Sequence, residues 1–233
     1  NEKTPPVLPT LGTARRFCSL ETASSMTEYR RFYKMDLYLI KQRYRRSRIS
    51  SAWRVLLEAD IDTFPVPVKR VADYMDIPVL LYSQGEDILH ELGLYRAAMS
   101  SDGIAIPLAD GHIVMYDDSI KTSRARATIA HELGHIMMGH TEPGVATASK
   151  SMPRPGDDYL PLEYEATLWG EQLIAPTGVL LAAGITTRDA IEEVCQVNRR
   201  ASDFIMERLS ERPGYVPTHP DEIEVVRRFM RSL

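Results

Sequence analysis

Apolar and polar positions recur along this chain with two periods, one helical and one of strand type. Phe32, Met35, Leu39 and Ile40 fall near helical spacing within 27–48, and 51–59 and 67–76 read as two further helices. Pro67, with its fixed φ, suits the start of the second. Pro78-Val-Leu-Leu-Tyr82 reads as a short strand. The apolar runs Gly103–Leu108 and 112–116 flank Ala109-Asp110-Gly111, and Asp-Gly between such runs signals a hairpin. Helical spacing then returns: Ile129, Leu133, Ile136 and Met137 line one face, and Gly139, His140, Thr141 and Pro143 form a helix stop. A second helix spans 160–176, with Pro161 in its first turn and Pro176 at its end. Thr186 and Asp189 resemble a capping box, Gln196-Val-Asn198 a turn, and 199–209 the helix after it. A last helix near 220–232 has Asp221 and Glu222 early and Arg227, Arg228 and Arg231 late, a polarity that suits the helix dipole. The pattern predicts an α+β protein, mostly helical, with a small sheet or hairpin ahead of the helix around 130.

Composition divides this plan. Residues 1–25 contain Pro5, Pro6 and Pro9 but no continuous apolar stretch, which predicts a disordered leader and not a secretory signal. Residues 26–60 form basic N-terminal helices, with Arg30, Arg31, Lys34, Lys41, Arg43, Arg45, Arg46 and Arg48; a solvated face is the commoner fate of such a run. Residues 61–180 are the expected core domain, and 181–233 a helical hairpin and final helix packed on it. With 233 residues, the chain can bury a sizeable core. The net charge of −4 gives no global sign of nucleic-acid binding. Cys18 and Cys195 make neither a disulfide framework nor a cysteine zinc site, and they suit a reducing compartment. No apolar run approaches the ~18 residues of a membrane span.

The candidate chemistry lies in Ala130-His131-Glu132-Leu133-Gly134-His135, the pattern H-E-x-x-H. Histidines four apart on a helix project from one face, one turn apart, where both can bind one Zn²⁺ ion. The adjacent Glu132 can accept a proton from a water activated by the metal. Leu133 lies about 200° around the helix from His131, on the side facing away. Gly134 costs about 1 kcal/mol relative to Ala in mid-helix, a cost that makes sense if another segment approaches closely there.

A catalytic zinc usually takes three protein ligands and keeps one position open. His140 is rejected as the third, because the extended pattern would need a histidine at 141, which is Thr. Near a helix end, His140 reads as a favourable C-terminal side chain or a group supporting the ligands from behind. The segment 160–176 offers Glu163, Glu165 and Glu171. Glu163 and Glu165 lie about 200° apart on a helix, so both cannot face one ion. Small residues Ala166, Thr167 and Gly170 follow Glu163 on its face, which can lie close against Gly134; bulky Leu168, Trp169 and Gln172 neighbour Glu165. Glu163 is therefore the expected third ligand.

The run Arg124-Ala-Arg-Ala-Thr-Ile-Ala-His-Glu-Leu-Gly-His-Ile-Met-Met-Gly-His140 resembles the R-x-R-F-T-x-A-H-E-L-G-H signature of the ImmA/IrrE family of zinc metallopeptidases. Glu163-Tyr-Glu-Ala-Thr-Leu-Trp-Gly-Glu-Gln-Leu-Ile-Ala-Pro176 is similar to that family's E-x-E-A-[ND]-x-F-A-x-x-L-L-M-P. Ala127, Thr167, Trp169 and Ala175 depart from it, and the likeness covers roughly residues 60 to 210. The resemblance implies a zincin-like core, Zn²⁺ held by His131, His135 and Glu163, and Glu132 as general base. It also implies a cytoplasmic peptidase whose protein substrate is a transcriptional repressor of the helix-turn-helix type. Neither membrane nor nucleic acid is an expected partner.

Four details stay open at this level. Arg124, Tyr159, Tyr164 and His140 are all candidates to stabilise an oxyanion. The loop 141–160, with Pro143, Gly144, Pro153, Pro155 and Gly156, borders the cleft. The hairpin's edge strand is placed to hold an extended substrate, and His112 reads as a strand-surface histidine. A rival function is DNA binding through the helix-turn-helix-like segment 185–210, with a structural or vestigial zinc site; Asp203 and Glu207 on its second helix, which phosphate would repel, oppose it.

Overall fold

The computed structural model describes residues 49–141 and 161–233, which fall within a single unit, Arg43–Leu233. The leader 1–25, the basic helix 27–48 and nearly all of the loop 141–160 lie outside the described residues. The described chain runs α1 (Ile49–Glu58), α2 (Val68–Tyr74), β1 (Val79–Leu81), α3 (Glu86–Glu91), α4 (Tyr95–Ala98), β2 (Gly103–Leu108), β3 (Gly111–Tyr116) and α5 (Thr122–Met137). It continues with α6 (Pro161–Ile174), α7 (Thr177–Ala182), α8 (Arg188–Cys195), α9 (Arg199–Ser210) and α10 (Pro220–Ser232). This is an α+β protein, mostly helical, with one three-stranded sheet. Helices α3, α4 and α7 were not anticipated; at 6, 4 and 6 residues they are too short to show a period. Pro176 caps α7 instead of ending the helix before it, which stops at Ile174. No described helix is long and apolar enough to cross a membrane.

The sheet has the order β1-β3-β2, with β1 parallel and β2 antiparallel to β3. Leu108 pairs with Gly111, so the hairpin loop is Ala109-Asp110, one residue earlier than the Asp-Gly signal suggested. Along β3, Val114 and Tyr116 enter the main core, whereas Ile113 and Met115 join a smaller cluster with Tyr82, Leu89, Ala98, Ile104 and Ile106. With both faces covered, β3 reads as a continuous apolar run without alternation.

The main core gathers Trp53 and Leu56 of α1, Val71 of α2, Ile129 and Leu133 of α5, Trp169 and Leu173 of α6, and Ile191, Ile205 and Phe229 from the C-terminal helices. The apolar face of α5 stops at partly buried Ile136, because Met137 is exposed. Arg126 fastens α5 from the side, donating to the carbonyls of Val66 at 2.8 Å and Cys195 at 3.3 Å.

Helices α5 and α6 meet through glycine on both sides. A Cβ on Gly134 would sit 2.4 Å from the Ala166 carbonyl oxygen, and one on Gly170 would sit 2.8 Å from the Ala130 carbonyl. Both clashes are with backbone, so the helices themselves would have to separate. Gly134→Ala gains about 1 kcal/mol of helix propensity but overpacks this seam at a cost of about 1–3 kcal/mol. The expected result is net destabilisation in urea unfolding; a more stable variant would show that the seam yields easily.

The C-terminal hairpin differs in detail from its sequence reading. Thr187, not Thr186, caps α8, accepting from the Ala190 amide. Gln196 takes the left-handed conformation (φ 49°) that glycine would fill at lower cost, and Asn198 caps α9 through a 2.9 Å bond from the Ala201 amide.

Candidate metal centre

Helix α5 presents His131 and His135 from one face, and the close seam at Gly134 brings the first turn of α6, with Glu163, opposite them. The Nε2 atoms of His131 and His135 are 3.1 Å apart. Glu163 places Oε2 3.2 Å from the first and Oε1 3.5 Å from the second. The three side chains form the His-His-carboxylate group, among the described residues, that can hold a metal ion.

These separations test the fit. Tetrahedral ligands at roughly 2.0–2.1 Å from zinc stand about 3.3 Å from one another. The observed triangle has that size, and its donor set suits zinc. Burial alone would push the Glu163 carboxyl up. Hydrogen bonds and charge from His131 and His135 outweigh it and bring the group to about 2, which keeps it an anionic ligand at neutral pH.

Glu132 is buried on the same helix, and Gly103 at the start of β2 packs against it: a Cβ there would lie 3.2 Å from Glu132 Cγ. Glu132 thus packs against the first residue of the edge strand β2.

Behind the triangle each imidazole has a partner on its other nitrogen. His131 Nδ1 lies 3.2 Å from Thr167 Oγ1. His135 Nδ1 lies 3.1 Å from His140 Nδ1, and His140 Nε2 lies 3.1 Å from Glu165 Oε2. Glu165 therefore turns away from the triangle, as the helix-face argument requires, and His140 supports a ligand from behind. The partnership of Thr167 with His131 escaped the sequence reading, where Thr167 counted only as a small residue. The signal was its position, four after Glu163 and so on the same side of α6.

One of the oxyanion candidates is engaged elsewhere. Arg124 pairs with Asp102, its Nε donating to Oδ2 at 2.6 Å. Tyr164 packs edge-on against Phe204 of α9. Tyr159 lies outside the described residues. His112 is more than a surface histidine, since its Nε2 sits 2.9 Å from Thr141 Oγ1 just beyond α5.

The helix-turn-helix-like segment also has a definite arrangement. Arg208 of α9 is buried against Glu171 of α6, 2.8 Å away, and Arg188 pairs with Asp203. The exposed face of α9 carries Arg199, Asp203 and Glu207, a mixed charge with no continuous basic stripe.

An α+β fold with a buried His-His-Glu group defines a candidate metal-site protein. No family model, curated protein or solved structure matches the chain.

Proposed function

We propose that the protein is a zinc-dependent peptidase of the ImmA/IrrE type with a zincin-like core, acting on a regulatory protein in the cytoplasm. The observation that carries this reading is the tetrahedron-sized triangle of His131, His135 and Glu163 with Glu132 buried beside it. A zinc ion held by the three ligands supplies Lewis acidity, polarising a carbonyl and lowering the pKa of a water to about 7.

The chain's own residues do the rest. Glu132 accepts the proton of the attacking water and hands it to the departing amine. The edge of β2, which starts at Gly103 against Glu132, pairs with an extended substrate backbone and aligns the scissile bond. Gly103 lets that strand lie close against α5, where a Cβ would meet Thr128 Cγ2 at 2.5 Å. The family likeness further suggests a helix-turn-helix repressor as substrate. DNA binding through α8 and α9 has weaker support, because Arg208 is spent on Glu171 and Arg188 on Asp203.

A peptide mixture prepared from a bacterial proteome tests the activity. New N-termini read by mass spectrometry should appear with zinc-loaded protein, vanish with chelator and return on adding zinc. Cleavage indifferent to chelator would remove the metal from the chemistry.

A further inference from the structure

The end of α5 is closed by a backbone motif whose consequence reaches the metal site. Gly139 (φ 71°) follows the C-cap Met138; its amide bonds the Ile136 carbonyl at 3.0 Å, and the His140 amide bonds the His135 carbonyl at 2.9 Å. These are the paired bonds of a Schellman ending, which folds the residue after the glycine back over the last turn. An apolar contact frequently accompanies this ending, near the position His135 takes here. Here the residues brought together are two buried histidines, His135 and His140, with ring centroids 5.1 Å apart. Glu165, itself buried, closes the row from α6.

We infer that Glu165 and His140 form a positioning relay that sets the tautomer and ring orientation of His135, so that its Nε2 lone pair faces the metal position. The inference rests on the metal reading proposed above. A neutral imidazole has one donor nitrogen and one acceptor. If His135 offers the lone pair of Nε2 to a metal, its proton is on Nδ1, and Nδ1 needs an acceptor. The atom it meets is His140 Nδ1, at 3.1 Å. The His140 proton is then on Nε2, which donates to Glu165 Oε2 at 3.1 Å. A carboxylate only accepts, so Glu165 selects this direction for the whole row over its reverse, which would place a proton on His135 Nε2. His131 has a different support, the neutral hydroxyl of Thr167. The two ligating histidines are therefore held unequally, one by an ionic chain and one by a hydroxyl.

The test is zinc affinity, measured by competition with a chromophoric chelator on the full chain and on Glu165→Gln, His140→Ala, the double variant and Thr167→Val. Support groups of this kind are worth about 10–100-fold in metal affinity. Glu165→Gln and His140→Ala should each weaken zinc binding within that range, with the double variant no weaker than the worse single, because the pair acts as one unit. Thr167→Val should weaken it less than either. Melting of each variant in excess chelator separates a merely structural role, which would lower metal-free stability and leave affinity unchanged. Unchanged affinity in Glu165→Gln, or effects that simply add, would overturn the relay. Absence of zinc binding by the unaltered chain would instead overturn the metal reading on which it depends.

Discussion

Glu132→Gln is expected to retain zinc and to lose cleavage by about 10²–10⁴-fold, the usual worth of a positioned general base. The substitution keeps the size and shape of a buried side chain packed against Gly103, so the fold should be little disturbed. Glu132 lies outside the group that could hold a metal ion, so zinc content should stay near that of the unaltered protein. What the amide loses is the ability to take a proton from water. Zinc content and the rate at which new N-termini form, measured on the same preparation, check both halves. Full activity would refute the base assignment, and loss of zinc would mean that Glu132 takes part in holding the metal.

The second large effect concerns how α6 is held. Glu171 and Arg208 are a buried pair, each side chain about 6% exposed, joining the ligand helix to α9. Their replacements are not equivalent. A guanidinium cannot shed its charge, so Glu171→Leu leaves a buried cation without its 2.8 Å partner at any pH, a loss of about 3–5 kcal/mol where that partner is ionised. A carboxyl can neutralise itself. Burial raises Glu171 to about 8 although Arg208 and Arg212 pull it down. Arg208→Met removes the larger of those two pulls and lets the group rise further.

The sign follows from proton counts. Between the ordinary carboxyl value of 4.5 and the raised folded value, the unfolded chain has lost a proton that the folded chain keeps. Stability therefore falls as pH rises through that window. Urea unfolding near pH 5 should find Arg208→Met milder than Glu171→Leu. Above about pH 8, where the unaltered chain ionises Glu171 beside Arg208 and the variant still holds the proton, the deficit of Arg208→Met should grow. Equal costs for the two variants, independent of pH, would show that the carboxyl stays ionised when Arg208 is gone.

Much of the site is legible in the chain because it rests on local geometry. His131 and His135 share a face through the helical repeat alone, and the same repeat separates Glu163 from Glu165. Small residues at Ala166, Thr167 and Gly170 mark the side of α6 that comes close to α5, and the structure brings Gly134 and Gly170 into that seam. Other features were misread for local reasons. The hairpin turn shifts by one residue because Gly111 serves the first position of β3, and α8 is capped by the second of two adjacent threonines, either of which can cap. Met137 satisfies the spacing of the apolar face yet is exposed, and its neighbour Met138 enters the core instead.

By itself, the sequence determined which residues have the chemistry for a metal centre and on which helices they ride, since periodicity and side-chain type are properties of the chain. Only the tertiary structure decided how those groups are wired. His140 meets Glu165 across 25 positions, His131 meets Thr167 across 36, and Glu171 meets Arg208 from another helix pair. Such pairings depend on how closely two helices approach and how they are rotated against each other. Backbone contact at Gly134 and Gly170 sets that approach, and no repeat within one helix encodes it.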